Sequence, residues 1–222
     1  MHQLSIAFKQ QFEGLKNPEI AKQQSAYMLH QFPFLGIMTP ERRTITKAII
    51  RANKLTEYEQ LILAVKDVWQ LPEREFQYAA VEILAAHKKI WQPDVIVLIE
   101  QLLTSKSWWD TVDHIASECL GYYFQQFSFQ VPKITDNWNV SSNIWLQRSS
   151  LMFQKSYKTN TNTHLLEKYI AHLHKSKEFF VQKAIGWALR EYSKINPHWV
   201  IAITEKYPLA NLSKREALKR IK

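Results

Sequence analysis

The chain has 222 residues, 46% of them hydrophobic, which is enough for one large domain or an array of repeats with a sizeable core. Its 29 lysines and arginines outnumber its 20 acidic residues, and the formal net charge of +9 favours a polyanionic partner such as nucleic acid or an anionic membrane surface. A single cysteine, Cys119, excludes a disulfide framework or a cysteine-based zinc site within the chain, and four glycines are too few for a glycine-rich phosphate loop.

The first residues lack the basic and apolar regions of a signal peptide. No apolar stretch approaches the roughly 18 residues that a membrane span requires. We therefore expect a cytoplasmic protein without a membrane partner.

Apolar residues recur with helical spacing, and no convincing run of alternating strand residues occurs. In chain order, helices are predicted at residues 2–14, 18–30, 57–70, 73–88, 93–104, 107–127, 144–157, 163–173, 178–194, 196–206 and 213–221. A further helix starts near Thr39, a bend is expected near Gly121, and residues 128–143 are expected to form a looser stretch. The predicted fold class is therefore all-α.

The start of the helix near Thr39 is a candidate anion site. We expect Thr39 to be the N-cap residue and Pro40 to occupy the first helical position. Helix N-termini bind anions, and Arg43 and Lys47, one turn apart, would extend a phosphate site. The alternative is an ordinary capped helix whose charges are solvated.

Aromatic residues recur at a spacing that predicts a repeat. Four of them, each near the start of a predicted helix that follows a shorter one, are Phe76, Trp109, Trp145 and Phe180. They stand 33, 36 and 35 residues apart (109−76, 145−109, 180−145). The residues four positions further on are Ala80, Asp113, Ser149 and Ala184. Helix pairs with such a period predict an α-solenoid over residues 1–222, with one helix of each pair lining a concave face.

The predicted concave face combines cations, indoles and one acid. Its side chains would be Trp109, Asp113, Arg148, Lys155, Lys183, Trp187 and Arg190. Lysine and arginine at regular intervals suit phosphates rather than base edges, although solvated helix faces have the same pattern. The two tryptophans are either core residues or aromatic walls around a cation or a sugar.

Asp113 has three interpretations. It pairs with an arginine such as Arg148 in a purely structural role, it binds a metal, or it stabilises positive charge in a reaction. We disfavour a metal because no second acid or histidine stands at a useful spacing. A serine nucleophile is unsupported, because Ser149 and Ser150 have no histidine one helical turn away.

Several separated segments carry a resemblance to a known family. They are Phe32–Ile37, Thr39–Arg43, Ser107–Asp113, Trp145–Ser150 and Gln182–Glu191. In these segments the chain resembles the DNA alkylation repair enzymes, the HEAT-like-repeat alkylpurine DNA glycosylases of the AlkD type. The segments follow the family's order, and the resemblance extends from about residue 4 to residue 221.

The resemblance implies a HEAT-like-repeat fold whose concave, positively charged face binds DNA. It implies base excision repair, in which cationic N3- and N7-alkylpurines such as 3-methyladenine and 7-methylguanine are hydrolysed from duplex DNA without base flipping. No metal, cofactor or obligate protein partner is implied, and we expect a monomer.

The resemblance also assigns roles to individual residues. The catalytic aspartate corresponds to Asp113, and the two cleft tryptophans correspond to Trp109 and Trp187. The DNA contacts that it implies are Arg148, which would bind a phosphate, Arg190 in the cleft, and Tyr27, an aromatic residue facing the DNA. From their charge and spacing we add Arg43, Lys47, Lys155 and Lys183 to the predicted DNA-binding residues.

Two other functions compete with the glycosylase. A non-catalytic HEAT-like module that binds damaged or structured nucleic acid would have the same charge and the same repeats. A protein-interaction scaffold is also common among α-solenoids, but the tryptophan, aspartate and arginine residues make it the weakest of the three hypotheses.

Overall fold

The regular structure of the protein is helical throughout the part of the chain that can be described. The computed structural model describes residues 2–221, and no β-strand occurs among them. The all-α fold class predicted from apolar periodicity is therefore confirmed. In the same range, no helix is long and apolar enough to cross a membrane.

The chain forms two compact units, the first ending at Leu98 and the second beginning at Ile99, so that the division falls within one helix. The helices up to that point are α1 (Gln3–Glu13), α2 (Pro18–Tyr27), α3 (Thr39–Ala52), α4 (Tyr58–Gln70), α5 (Arg74–Ala86) and α6 (Val95–Thr104). Those that follow are α7 (Trp109–Ile115), α8 (Gly121–Gln126), α9 (Val131–Asn139), α10 (Ile144–Met152), α11 (Thr163–Leu173), α12 (Phe179–Tyr192), α13 (Pro197–Lys206) and α14 (Asn211–Leu218). That residues 1–222 form a single domain stays a prediction.

Two predicted stretches differ from the structure. Residues 128–143 contain α9, which begins one residue before a proline and buries Thr135, Trp138 and Asn139. Val131, Ile134 and Trp138 do stand at helical spacing, but Pro132 and the polar residues between them interrupt this short pattern, and the prediction missed it. The helix predicted over residues 107–127 is interrupted by a π-helical turn at Ala116–Leu120, which joins α7 to α8 just before Gly121, where a bend was predicted.

The predicted N-cap of α3 was wrong by one residue. Thr39 is the first helical residue, and the preceding Met38 takes the extended N-cap conformation without a side-chain hydrogen bond. Pro40 therefore lies one position further into the helix than expected, still within the first turn, where its missing N–H is tolerated.

Five helices begin at a constant interval. Helices α3, α5, α7, α10 and α12 begin at residues 39, 74, 109, 144 and 179, each 35 residues after the one before. A helical repeat is therefore present, but its register differs from the predicted one. Trp109 is the first residue of its helix, whereas Phe180 is the second and Phe76 is the third. Because the aromatic residues occupy different positions in their helices, aligning the repeats on them placed non-equivalent residues opposite one another.

The corrected register changes the position of Asp113 in the repeat. Asp113 is the fifth residue of its helix, and the fifth residues of the other four are Arg43, Tyr78, Arg148 and Lys183. The residues aligned with Asp113 from the sequence, Ala80, Ser149 and Ala184, are therefore not its equivalents. The fifth position holds a polar or charged residue in every one of these five helices.

A recurring glutamine explains why three of these helices begin where they do. Gln77, Gln147 and Gln182 are each the fourth residue of their helix. The side-chain amide nitrogen of each donates to the backbone carbonyl six residues earlier. The bonds run from Gln77 to Leu71 (2.7 Å), from Gln147 to Ser141 (2.7 Å) and from Gln182 to Ser176 (3.0 Å). A carbonyl in the preceding loop is thereby satisfied by the first turn of the helix, which fixes the entry of the chain.

In the second unit, α12 packs closely against α14. Ser213 donates from Oγ to the carbonyl of Gln182 at 2.8 Å, and Gly186 lies where the two backbones approach. Gly186 is buried on the face of α12 that meets α14. The absence of a side chain at residue 186 therefore sets how near α14 comes to α12.

We expect Gly186→Ala to lower the free energy of unfolding by about 1–2 kcal/mol. A β-carbon at this position would lie 2.6 Å from Cβ of Glu216 and 2.9 Å from the carbonyl oxygen of Ser213. This overlap outweighs the gain of up to about 1 kcal/mol that alanine brings to a helix. Urea unfolding measures the change. Gly14→Ala is the control, since its β-carbon would meet nothing nearer than 3.7 Å, and equal stability of the two variants would contradict the prediction.

Candidate active site

Asp113 and Arg148 form a bidentate ion pair between α7 and α10. Arg148 donates from Nε to Oδ1 of Asp113 at 2.7 Å and from Nη2 to Oδ2 at 2.8 Å. Its Nη1 donates to the carbonyl oxygen of Phe180 at 2.6 Å. The side chain of Arg148 is 1% exposed and that of Asp113 is 16% exposed. Arg148 therefore holds the carboxylate in one orientation while part of Asp113 stays open to solvent.

Asp113 and Arg148 occupy equivalent positions of two successive repeats. Both are the fifth residues of their helices, and Lys183 is the fifth residue of the next repeated helix. Successive repeats thus contribute an acid, an arginine and a lysine from the same helical position. The pairing was one of the three interpretations of Asp113 drawn from the sequence.

Trp187 on α12 is surrounded by cations. The cationic groups and their distances from the centre of the Trp187 ring system are Arg148 (5.3 Å), Lys183 (5.3 Å), Arg190 (5.4 Å) and Lys155 (5.7 Å). All four lie within the range of a cation–π interaction. Arg148 contacts both Trp187 and Asp113, and so links the indole to the carboxylate.

Only part of this positive charge is neutralised. Arg148 pairs with Asp113, and Arg190 donates from Nη1 to Oε2 of Glu216 at 2.7 Å. Across residues 2–221, neither Lys155 nor Lys183 has a carboxylate within ion-pair distance. The site therefore carries two lysine charges that are free to meet an anion.

Lys155 lies in a turn and not in the helix that was predicted to contain it. Helix α10 ends at Met152 rather than at residue 157, so Lys155 lies in the turn that follows the helix. Its Nζ atom is nevertheless near Trp187. The predicted helical spacing between Arg148 and Lys155 was wrong, although both side chains come to the same indole.

The neighbouring residues Trp108 and Trp109 have different surroundings. Trp109 is the first residue of α7, half-buried and one turn before Asp113. Trp108 is the N-cap residue, and its ring packs 5.2 Å from that of Phe180 and 5.9 Å from that of Trp145. Because the carbonyl of Phe180 accepts from Arg148, this aromatic cluster supports the ion pair.

Three of the predicted DNA-binding residues lie in the first unit. Tyr27 is the last residue of α2 and is 70% exposed. Arg43 and Lys47 are exposed and stand at the fifth and ninth positions of α3, which correspond to those of Lys183 and Trp187 in α12. Their roles in DNA binding stay predictions, as do those of Arg148, Arg190, Lys155 and Lys183.

Sequence reasoning missed Glu216 on α14. Its Oε2 accepts from Nε1 of Trp187 at 3.2 Å and from Arg190 at 2.7 Å, and its side chain is 12% exposed. No spacing rule connects these residues, because Glu216 follows them by 29 and 26 positions and belongs to a different helix. Within the described range, no three histidine, cysteine, aspartate or glutamate side chains group as potential metal ligands.

Comparisons with known proteins identify the family of this chain. The family model described as DNA alkylation repair enzyme matches residues 8–221. The chain belongs to the DNA alkylation repair enzyme family. The resemblance inferred from separated segments of the sequence is thus confirmed, whereas a search of curated proteins found no match.

Solved structures add to the assignment of this chain to the family. A structure described as a predicted DNA alkylation repair enzyme from Enterococcus faecalis is 35% identical, with a TM-score of 0.87, over 93% of this chain and 96% of that chain. AlkD2 from Streptococcus mutans is 18% identical, with a TM-score of 0.65, over 90% and 99% of the two chains. The protein smu.31 from Streptococcus mutans UA159 is 17% identical, with a TM-score of 0.64, over 92% and 98%. The last two likenesses support the fold alone.

Proposed function

We propose that this DNA alkylation repair enzyme is a glycosylase that hydrolyses the N-glycosidic bond of cationic N3- and N7-alkylpurines in duplex DNA. The substrates would include 3-methyladenine and 7-methylguanine. Family membership supports action on alkylated DNA, and the oriented carboxylate of Asp113 is the observation that carries the glycosylase proposal.

The chemistry requires little besides a fixed negative charge. An alkylated N3 or N7 makes the purine cationic, so the base departs as a neutral molecule without a strong general acid. Bond cleavage leaves positive charge on the deoxyribose, as in the oxocarbenium-like states of other glycoside hydrolyses. A carboxylate aimed at that charge lowers the barrier, because it is already oriented before the reaction. Asp113 would serve this role and would also position the attacking water.

Arg148 would act mainly through Asp113. Its Nε, Nη1 and Nη2 each donate to an acceptor within the protein, and its side chain is almost fully buried. This geometry favours a role in orienting the carboxylate. A phosphate contact by Arg148, which the resemblance implies, would have to use the remaining N–H groups of the guanidinium.

The two tryptophans would flank the sugar. The faces of Trp109 and Trp187 would favour the developing cation through cation–π and C–H–π contacts. Because a cationic purine leaves without protonation, this chemistry does not require an enclosing base pocket. Excision without base flipping is therefore part of the proposal.

The direct test is release of 7-methylguanine from methylated duplex DNA by the full chain at low salt. We expect free 7-methylguanine and an abasic site in the DNA. Salt-sensitive duplex binding without any release would favour the non-catalytic nucleic-acid module instead. No salt-sensitive binding and no release would point to a protein-interaction scaffold.

We expect the double variant Lys155→Ala/Lys183→Ala to bind duplex DNA more weakly than the wild type. The slope of the logarithm of the association constant against the logarithm of the salt concentration should become less steep by about two units, roughly 0.9 for each phosphate that is no longer neutralised. The physical reason is that these two lysines have no carboxylate partner within residues 2–221 and would release counterions on binding. Fluorescence anisotropy at several salt concentrations measures the slope.

A control with the same change in charge is Lys168→Ala/Lys206→Ala. These lysines also belong to the second unit, but they pair with Asp136 at 2.8 Å and Glu167 at 2.7 Å. Their removal should leave the slope close to that of the wild type. Equal slopes for the two double variants would contradict a specific role for Lys155 and Lys183.

A further inference from the structure

We propose that Glu216, on the C-terminal helix α14, is a positioning residue of this site, which it serves by fixing Trp187 and Arg190. The inference rests on the proposed glycosylase function and deepens it. Glu216 lies outside the five separated segments that first indicated the family, and its place beside the site results from the close packing of α14 on α12.

Trp187 and Arg190 both donate to the same carboxylate oxygen of Glu216. Oε2 of Glu216 accepts the indole N–H of Trp187 at 3.2 Å and an N–H of Arg190 at 2.7 Å. With its side chain 12% exposed, Glu216 has little water to replace these donors. Because the indole has a single N–H donor, this bond selects the rotation of the Trp187 ring.

The negative charge of Glu216 makes a smaller, additional contribution beside its hydrogen bonds. Four cationic groups lie within 6 Å of the centre of the Trp187 ring system, and a sugar cation approaching that ring would be repelled by them. Glu216 neutralises Arg190 as Asp113 neutralises Arg148. Asp113 and Glu216, on two different helices, thus lower the positive charge that a cationic substrate would meet at Trp187. Lys155 and Lys183 keep their charges and remain available for phosphates.

The backbone supports the same function. Gly186, next to Trp187 in sequence, allows α14 to approach so closely that a β-carbon there would lie 2.6 Å from Cβ of Glu216. A hydrogen bond from Oγ of Ser213 to the carbonyl of Gln182 holds the start of α14 one turn away from Glu216. Helix α14 therefore carries Glu216 to a fixed place beside the indole.

The test compares Glu216→Ala and Glu216→Gln in the full chain, at a temperature at which circular dichroism shows every variant folded. The amide oxygen of glutamine still accepts both hydrogen bonds, whereas alanine accepts neither. In Glu216→Ala we expect the single-turnover rate of 7-methylguanine release to fall about 10-fold, by analogy with groups that orient metal ligands. Duplex affinity should not weaken, because the variant loses a negative charge. Glu216→Gln should recover most of the rate.

A double-mutant cycle with Trp187→Phe separates positioning from a general structural role, because phenylalanine has no indole N–H. In that background Glu216→Ala should lower the rate less than about twofold. The indole ¹⁵N–¹H NMR signal of Trp187, assigned by its loss in Trp187→Phe, should move in Glu216→Ala and move less in Glu216→Gln. An unmoved signal, or an equal rate loss in both backgrounds, would overturn the inference.

The outcomes for the two proposals are distinguishable. Release by the wild type together with an unchanged rate in folded Glu216→Ala would overturn the role of Glu216 and leave the glycosylase proposal standing. An absence of release by the wild type would overturn both.

Discussion

Asp113→Asn is expected to lower the rate of 7-methylguanine release from methylated duplex DNA by about 10²–10³-fold, the usual loss for one preorganised electrostatic partner. Asparagine has nearly the shape of aspartate, but it lacks the charge that would stabilise a deoxyribose cation. The same change turns an amide donor toward Arg148, and the free energy of unfolding should fall by roughly 1–3 kcal/mol as an N–H of Arg148 loses its acceptor. Single-turnover release assays are therefore made well below the melting temperature of the variant.

Binding and a matched substitution complete this experiment. Asp113→Asn should bind undamaged duplex DNA at least as tightly as the wild type, since the substitution removes a negative charge. Asp136→Asn is the control, because Asp136 also pairs with a cation, Lys168 at 2.8 Å, and accepts from Lys168 and Tyr169 rather than from residues of the proposed site. Its release rate should equal that of the wild type. Asp113→Asn retaining full activity would remove Asp113 from the mechanism.

Arg148→Met should lower the free energy of unfolding by about 3 kcal/mol, near the lower end of the range for breaking a buried ion pair. Methionine fills much of the same space but leaves the carboxylate of Asp113 and the carbonyl of Phe180 without their donor. Urea unfolding measures the loss. Release of 7-methylguanine should fall as well, because the carboxylate would no longer be held in one orientation.

Arg42→Met is a matched control for the stability measurement. Arg42 is 5% exposed and pairs with Glu82, whose 16% exposure equals that of Asp113, but its ion pair has a single hydrogen bond. Its loss should destabilise the protein less than Arg148→Met does. Equal losses would contradict the importance that we give to the three bonds of Arg148. A fall of about one unit in the salt slope of Arg148→Met would additionally identify a phosphate contact.

The two substitutions separate two properties of one ion pair. Asp113→Asn keeps the site largely in shape and removes the charge that would act on the substrate. Arg148→Met removes the group that orients that charge and has the larger effect on folding. A protein that uses the pair only for stability would lose stability in both variants and keep its rate of release, per folded molecule, in each.

Much of the fold could be predicted from local spacing. Helices α4, α11 and α13 lie within about a residue of their predicted bounds, since apolar periodicity and capping residues act within a few positions along the chain. Helix α9 was missed because its apolar residues, Val131, Ile134 and Trp138, are few and stand among a proline and polar residues, although their spacing is helical. The repeat was detected, but its register was not, because aromatic residues stand at different positions of successive helices.

The sequence by itself determined the all-α class and a recurrence of helices about every 35 residues, but not the register of the repeats. These features depend on hydrogen bonds and side-chain contacts between near neighbours in the chain. Only the tertiary structure decided that Asp113 pairs with Arg148, that Lys155 reaches Trp187 from beyond the end of α10, and that Glu216 bonds Trp187. Those partners come from different helices, up to 35 residues apart, and their meeting depends on the packing of one helix against another.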